Sequence, residues 1–181
     1  DLLRVGRQPA AYEDDEATAA LAAELGLSFE GRPPFGANDH ESAQHLQNSL
    51  NRAKFLLAFS TSVSPAPYTH PTKEYITGRW TDALASGVTV VGKVPNTTTV
   101  REILWDSATI DIDHADARAG LAQVADAVSR WTPAQGEQQI RQALQHLDWR
   151  HRFVQLCEAM GEVPASLAAD CEAMRAQYVQ R

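Results

Sequence analysis

Residues 71–95, PTKEYITGRWTDALASGVTVVGKVP, gather the side chains best suited to chemistry: Glu74, Arg79 and Asp82. A guanidinium between two carboxylates suits an anionic, hydroxyl-rich ligand. Arg79 can give charge-assisted hydrogen bonds to phosphate, while Asp82 can accept from sugar or ribose hydroxyls. Thr77 is placed to cap a helix starting there, and Gly78 lets a ligand approach the backbone closely. The unpaired N–H groups of that helix end favour the same phosphate. A plain structural pattern runs through the same residues. Ile76, Trp80, Ala83, Leu84 and Gly87 recur at helical spacing, and on periodicity alone the charges are the solvated face opposite that stripe.

Spacing separates two carbohydrate chemistries. If 74–82 is helical throughout, the acids lie about 12 Å apart along the axis. A retaining glycosidase pair needs about 5 Å and an inverting pair under about 10 Å, so the spacing fits two contacts along an extended ligand. Ser60, at the end of KFLLAFS, and His70, in the long loop TSVSPAPYTHP (61–71) beside Tyr68, are further candidate ligand contacts. That loop is about as long as compact domains carry without a functional reason. No acid–histidine arrangement marks Ser60 or Ser62 as a nucleophile. His146 and His151 fall about 140° apart round a helix and lack a completing ligand set, so neither a metal site nor a cofactor is expected. GRPPFGANDHES (31–42) lacks the lysine of a phosphate loop and reads as a connector, with Asn38 or Asp39 capping the next helix. Trp105, Trp131 and Trp149 are expected to be packing residues.

The elements that must position these groups alternate. LLRVG (2–6), LSFEG (27–31), KFLLAFS (54–60), VTVVGKV (88–94) and ATIDI (108–112) read as strands. Helical segments at 14–26 and 41–53, and the opening stretch itself, lie between them. Strand–helix alternation predicts an α/β fold, a Rossmann-like parallel sheet flanked by helices. In such sheets ligands sit beyond the carboxyl ends of the strands, which is where Glu74 to Asp82 follow the third one. After residue 112 the chain reads as helical: 114–131, then a region from Pro133 to Gly161, then a last helix after Pro164. The expected organisation is a Rossmann-like domain over 1–131 and a helical C-terminal extension over 132–181 packed on it.

The chain has 181 residues, 44% hydrophobic and 22% charged, with a net charge of −7. This is the composition of a folded domain with one ordinary core. The acidic balance argues against a broad nucleic-acid or anionic-membrane surface. Two cysteines, Cys157 and Cys171, fit a reduced, cytoplasmic chain. No apolar run reaches the ~20 residues needed to span a bilayer. The chain opens at DLLRVG, in what reads as a strand without an initiator Met, as a piece of a longer protein would.

The run EYITGRWTDALASGVTVVG resembles the donor-binding segment of two-domain, double-Rossmann (GT-B) retaining glycosyltransferases. Their signature is Glu, seven residues, Glu, then Ala-x-Ala-x-Gly and an apolar strand. Glu74 and Asp82 have that spacing, and ALASG (83–87) with VTVVG (88–92) matches the continuation. RWTDALASG is similar to a spore-maturation-type branch, in which an arginine stands shortly before the acid. LLRVGRQP is similar to the strand and Gly-Arg turn that opens the C-terminal domain of these enzymes, and LDWRHRF to their closing helices. The resemblance runs from residue 2 to about 112. It implies that Arg7 and Arg79 contact the donor diphosphate, with Thr77 and Gly78 at the helix end beside it. Glu74, the catalytic residue of the set, would bind hydroxyls of the transferred sugar, and Asp82 those of the ribose.

The implied partners are a nucleotide-diphosphate sugar, an unidentified acceptor and an N-terminal domain. The leaving diphosphate would be stabilised by cations and helix-end amides, without an obligatory metal. Glu74→Ala and Arg79→Ala are expected to abolish donor binding while stability barely moves. Three departures stand out: Asp replaces the second Glu, Tyr75-Ile76-Thr77 replaces a glycine-rich bend, and YEDD (12–15) replaces a lysine after the Gly-Arg turn. Two alternatives stay open: a non-catalytic interaction module that kept the fold, or half of a related double-Rossmann enzyme such as a sugar epimerase or phosphorylase.

Overall fold

Five consecutive apolar residues, Phe55–Phe59, make a strand with no solvent face, and all five are buried. Side chains alternate across a strand, so this one run feeds two cores. Phe55, Leu57 and Phe59 join Leu2, Tyr12, Val91, Leu121 and Val124 on one face. Leu56 and Ala58 join Leu3, Trp80, Ala83, Leu84, Val90 and Ala143 on the other. A strand buried on both faces belongs in the middle of a parallel sheet.

The computed structural model, which describes residues 1–179, has that sheet. The last two positions of the extension expected over 132–181 lie outside the described residues. Strands β1 (Leu2–Arg4), β2 (Phe29–Glu30), β3 (Phe55–Phe59), β4 (Thr89–Lys93) and β5 (Thr109–Asp111) are all parallel, in the order β2-β1-β3-β4-β5. The fold is α/β and Rossmann-like. Helix α1 (Asp15–Glu24) and helix α5 (Ala117–Ser129) cover the first face. Helices α2 (Asp39–Leu50), α3 (Gly78–Ala85) and α6 (Pro133–His146) cover the second, with the short α4 (Thr98–Ile103) preceding β5. Helices α7 (Trp149–Ala159) and α8 (Ala165–Val179) follow. Among the described residues no helix is long and apolar enough to cross a membrane.

The sheet is tightest at its centre. Gly92 of β4 pairs with Ala58 of β3, and a Cβ at Gly92 would stand 1.8 Å from the Ala58 carbonyl oxygen. Only glycine lets the two backbones meet there. Helix α6 is joined to the same region by Gln139, which is buried. Its Nε2 donates to Thr89 Oγ1 (2.8 Å) and the Ser107 carbonyl (2.6 Å), and its Oε1 accepts from Trp105 Nε1 (2.7 Å). Three otherwise stranded polar groups are satisfied by one side chain.

Local departures from the sequence expectations have local causes. The region from Pro133 to Gly161 is two helices, because Asp148 accepts from the Arg150 amide and restarts the chain as α7. Asn38, the residue before α2, caps it by accepting from the Glu41 amide, so that helix starts at Asp39. Trp105 and Trp131 pack against the cores as expected. Trp149 does not: it is 73% exposed.

Candidate functional site

Chain direction puts a topological reversal at the carboxyl ends of β1 and β3. From β1 the chain passes through α1 to β2 on one side, whereas β3 leads through α3 to β4 on the other. The connections leave on opposite faces of the sheet, and open α/β sheets bind ligands where that reversal occurs. The residues just beyond β1 are Val5, Gly6 and Arg7; those just beyond β3 are Ser60 to Ser64.

Arg79 bridges the two strand ends. It sits in the first turn of α3, and its Nη1 donates to the Val5 carbonyl (3.2 Å) and, at 3.5 Å, to that of Arg7. Its Nη2 donates to the Phe59 carbonyl at 2.7 Å. The guanidinium thus ties the ends of β1 and β3 together. Gly6, at φ +80°, makes room for it, since a Cβ there would lie 2.1 Å from Arg79 Nη1. Burial, and then the neighbouring Arg7 charge, pull the Arg79 guanidinium below the ordinary arginine range. Its Nε is buried without a partner. Arg79 is therefore built into the scaffold, and the expectation that Arg79→Ala leaves stability nearly unchanged is corrected: removal strands three strand-end carbonyls.

Glu74 stands at the rim. It lies in the loop before α3, not in the helix, so the 12 Å axial separation from Asp82 does not apply. Its Oε1 accepts from Ser60 Oγ, and its Oε2 from the Asn96 amide (3.0 Å) beyond β4. The Ser60 hydroxyl first, then that of Ser62, the Asn96 amide and the Lys93 charge hold its carboxyl below the usual glutamate range, against a smaller opposing effect of burial. Glu74 is thus a fixed, ionised acceptor at the carboxyl end of the sheet.

Arg7 enters from the other side. Its Nε donates to the Ser64 carbonyl (3.3 Å), its Nη1 to the Tyr68 hydroxyl, and its Cζ stands 4.8 Å from the centre of the Tyr68 ring. The 61–71 loop therefore reaches across to β1. Within it Thr61 and Ser64 are buried, 9% and 4% exposed, with hydroxyls that have no hydrogen-bond partner.

The remaining expected residues divide. Thr77 does precede α3 as its cap position, but its hydroxyl makes no capping bond and is buried unpaired. Gly78 opens the helix. His70 shapes the loop: its Nδ1 accepts from the amides of Thr72 (3.1 Å) and Lys73 (3.0 Å). Asp82 lines a different concavity, a groove of about 430 Å³ between α3, α4, α6 and the start of α7. Burial raises its carboxyl above the usual aspartate range.

Arg7, Ser60, Glu74 and Arg79 are thus brought together at the strand ends, while Asp82 lines the separate groove and His70 bonds within its own loop. Asn96 and Tyr68 complete the group. A backbone amide carries no sequence signature, though the position of Asn96 just past an apolar strand is the available hint. Among the described residues no cluster of three His, Cys, Asp or Glu side chains forms a candidate metal centre. The arrangement suits an oxyanion beside a polyol: the Arg7 guanidinium on one side and a fixed carboxylate on the other.

No family model and no curated protein matches this chain.

Proposed function

We propose that the chain is the nucleotide-sugar-binding domain of a glycosyltransferase, which acts with a partner domain to move a sugar from a nucleotide-diphosphate donor to an acceptor. One observation carries this reading: at the reversal between β1 and β3 a fixed carboxylate, Glu74, shares the strand ends with two guanidiniums, Arg7 and Arg79. In this reading Arg7 turns from Tyr68 to the donor diphosphate, and the amides opening α3 face the same charge. Glu74, ionised by its Ser60 and Asn96 bonds, accepts from hydroxyls of the transferred sugar. Arg79 contributes its field from beneath rather than a direct bond, and charge growing on the leaving diphosphate is met by groups already in place.

Calorimetric titration with uridine, guanosine and adenosine diphosphates and their sugars tests this. Binding is expected for one nucleotide series, weakened at least about tenfold, or 1.4 kcal/mol, by Arg7→Ala and by Glu74→Ala, both variants being titrated below their own melting temperatures because Glu74→Ala also gives up the Ser60 and Asn96 bonds. Absence of heat at millimolar ligand rejects the reading. It would favour the second one, a non-catalytic module, for which the specific observation is that both arginines already have partners within the chain.

A further inference from the structure

Helix α7 contains no buried residue. Four large apolar side chains stand out from it: Trp149, Phe153, Leu156 and Met160, the last just past its end, are 73%, 51%, 56% and 77% exposed. They are spaced four, three and four residues apart, so they form one stripe. Trp149 and Phe153 lie against each other, ring centres 6.3 Å apart. Beside Trp149 opens the groove whose apolar wall includes Ile140, Leu144 and Leu147. An unpartnered stripe of this kind marks an interaction surface.

We infer that the stripe is the contact between two copies of this chain, with α7 packed antiparallel on the α7 of the second copy about a two-fold axis. The spacing itself reads the same in both directions, as an isologous contact requires. Reversal about the midpoint between Val154 and Gln155 sets each Trp149 against the copy's Met160 and each Phe153 against its Leu156. Both pairings suit apolar packing, and the first is a sulfur–aromatic contact. Charge selects the same orientation. Arg152 lies in the first turn and Glu158 in the last; antiparallel packing brings unlike ends together, whereas parallel packing would set arginine beside arginine.

Area is sufficient as well. At roughly 200 Å² per large side chain the exposed fractions leave roughly 500 Å² per copy. The pair starts near roughly 1,000 Å² before its rim and groove are counted, the lower bound for a specific interface. The overall charge of −7 opposes association, but Trp149–Ala159 itself carries two arginines and one glutamate, so the repulsion is not centred on the contact. This inference is independent of the nucleotide-sugar reading.

Sedimentation velocity and light scattering across about 1–100 µM protein test it. A species of twice the chain mass is expected, its population rising with concentration and accompanied by a blue shift of tryptophan emission. Phe153→Glu and Leu156→Glu, each at an exposed position, are expected to raise the dimer dissociation constant at least about tenfold while melting like the parent at concentrations where the parent is monomeric. A monomer throughout overturns the inference, as does a dimer indifferent to both glutamates. Binding of a monomeric chain to phosphatidylserine vesicles, lost in the same variants, also overturns it and assigns the stripe to a lipid surface.

Discussion

At the scale of single residues, Gly6 and Arg79 are one unit. A side chain at Gly6 meets both an unfavourable φ of +80° and the guanidinium 2.1 Å away. Gly6→Ala is expected to cost about 2 kcal/mol or more, read as a lower midpoint in urea. A double-mutant cycle with Arg79→Ala should be non-additive, because the second change removes the clash that the first creates. Glu74 gives a pH signature. Its folded carboxyl lies below the ordinary value of 4.5, so the stabilisation from its contacts is complete above that value and is lost as pH falls through the lower, folded one. Ser60→Ala should therefore lower the melting temperature most near about pH 7, and the gap from the parent should close towards about pH 3. The carboxylate and the guanidiniums were legible as chemistry from their types and spacing. That Arg79 faces inward to three carbonyls was not, since backbone acceptors are the same at every position.

At the scale of elements, the link between α6 and the sheet rests on Gln139. Gln139→Leu keeps the volume but strands Trp105 Nε1, Thr89 Oγ1 and the Ser107 carbonyl. The expected loss is on the order of 3 kcal/mol, measured by chemical denaturation, and Gln139→Glu should recover the Trp105 bond and accept from the rotated Thr89 hydroxyl, leaving the Ser107 carbonyl without its donor. Strands were legible wherever an apolar run was continuous, as at Phe55–Phe59 and Thr89–Lys93. They were less so at the edge, where β2 keeps only Phe29 and Glu30. Helix limits depended on caps: Asn38 and Asp148 each set a start by accepting a backbone amide. The short α4, with two threonines in its six residues, carries too little apolar periodicity to be seen in advance. Glu74 to Thr77 stayed outside α3 because the Ser60 and Asn96 bonds hold the glutamate at the strand ends, a tertiary cause that no local pattern contains.

At the scale of the whole molecule, burial is uneven in a way that should appear in amide exchange. β3 is buried along its full length and β4 over four of its five residues, whereas α7 has no buried residue. The β3 and β4 amides should exchange only through global unfolding, and those of α7 through local opening at least about a hundredfold faster; equal protection would contradict this picture. The parallel sheet followed from strand–helix alternation, but the reversal between β1 and β3 needed the strand order, which alternation does not supply. Two cationic side chains span that reversal, Arg79 beneath and Arg7 above, pinning two chain segments that diverge immediately afterwards. Moving either segment away from the strand ends would break a bond from the Arg79 guanidinium.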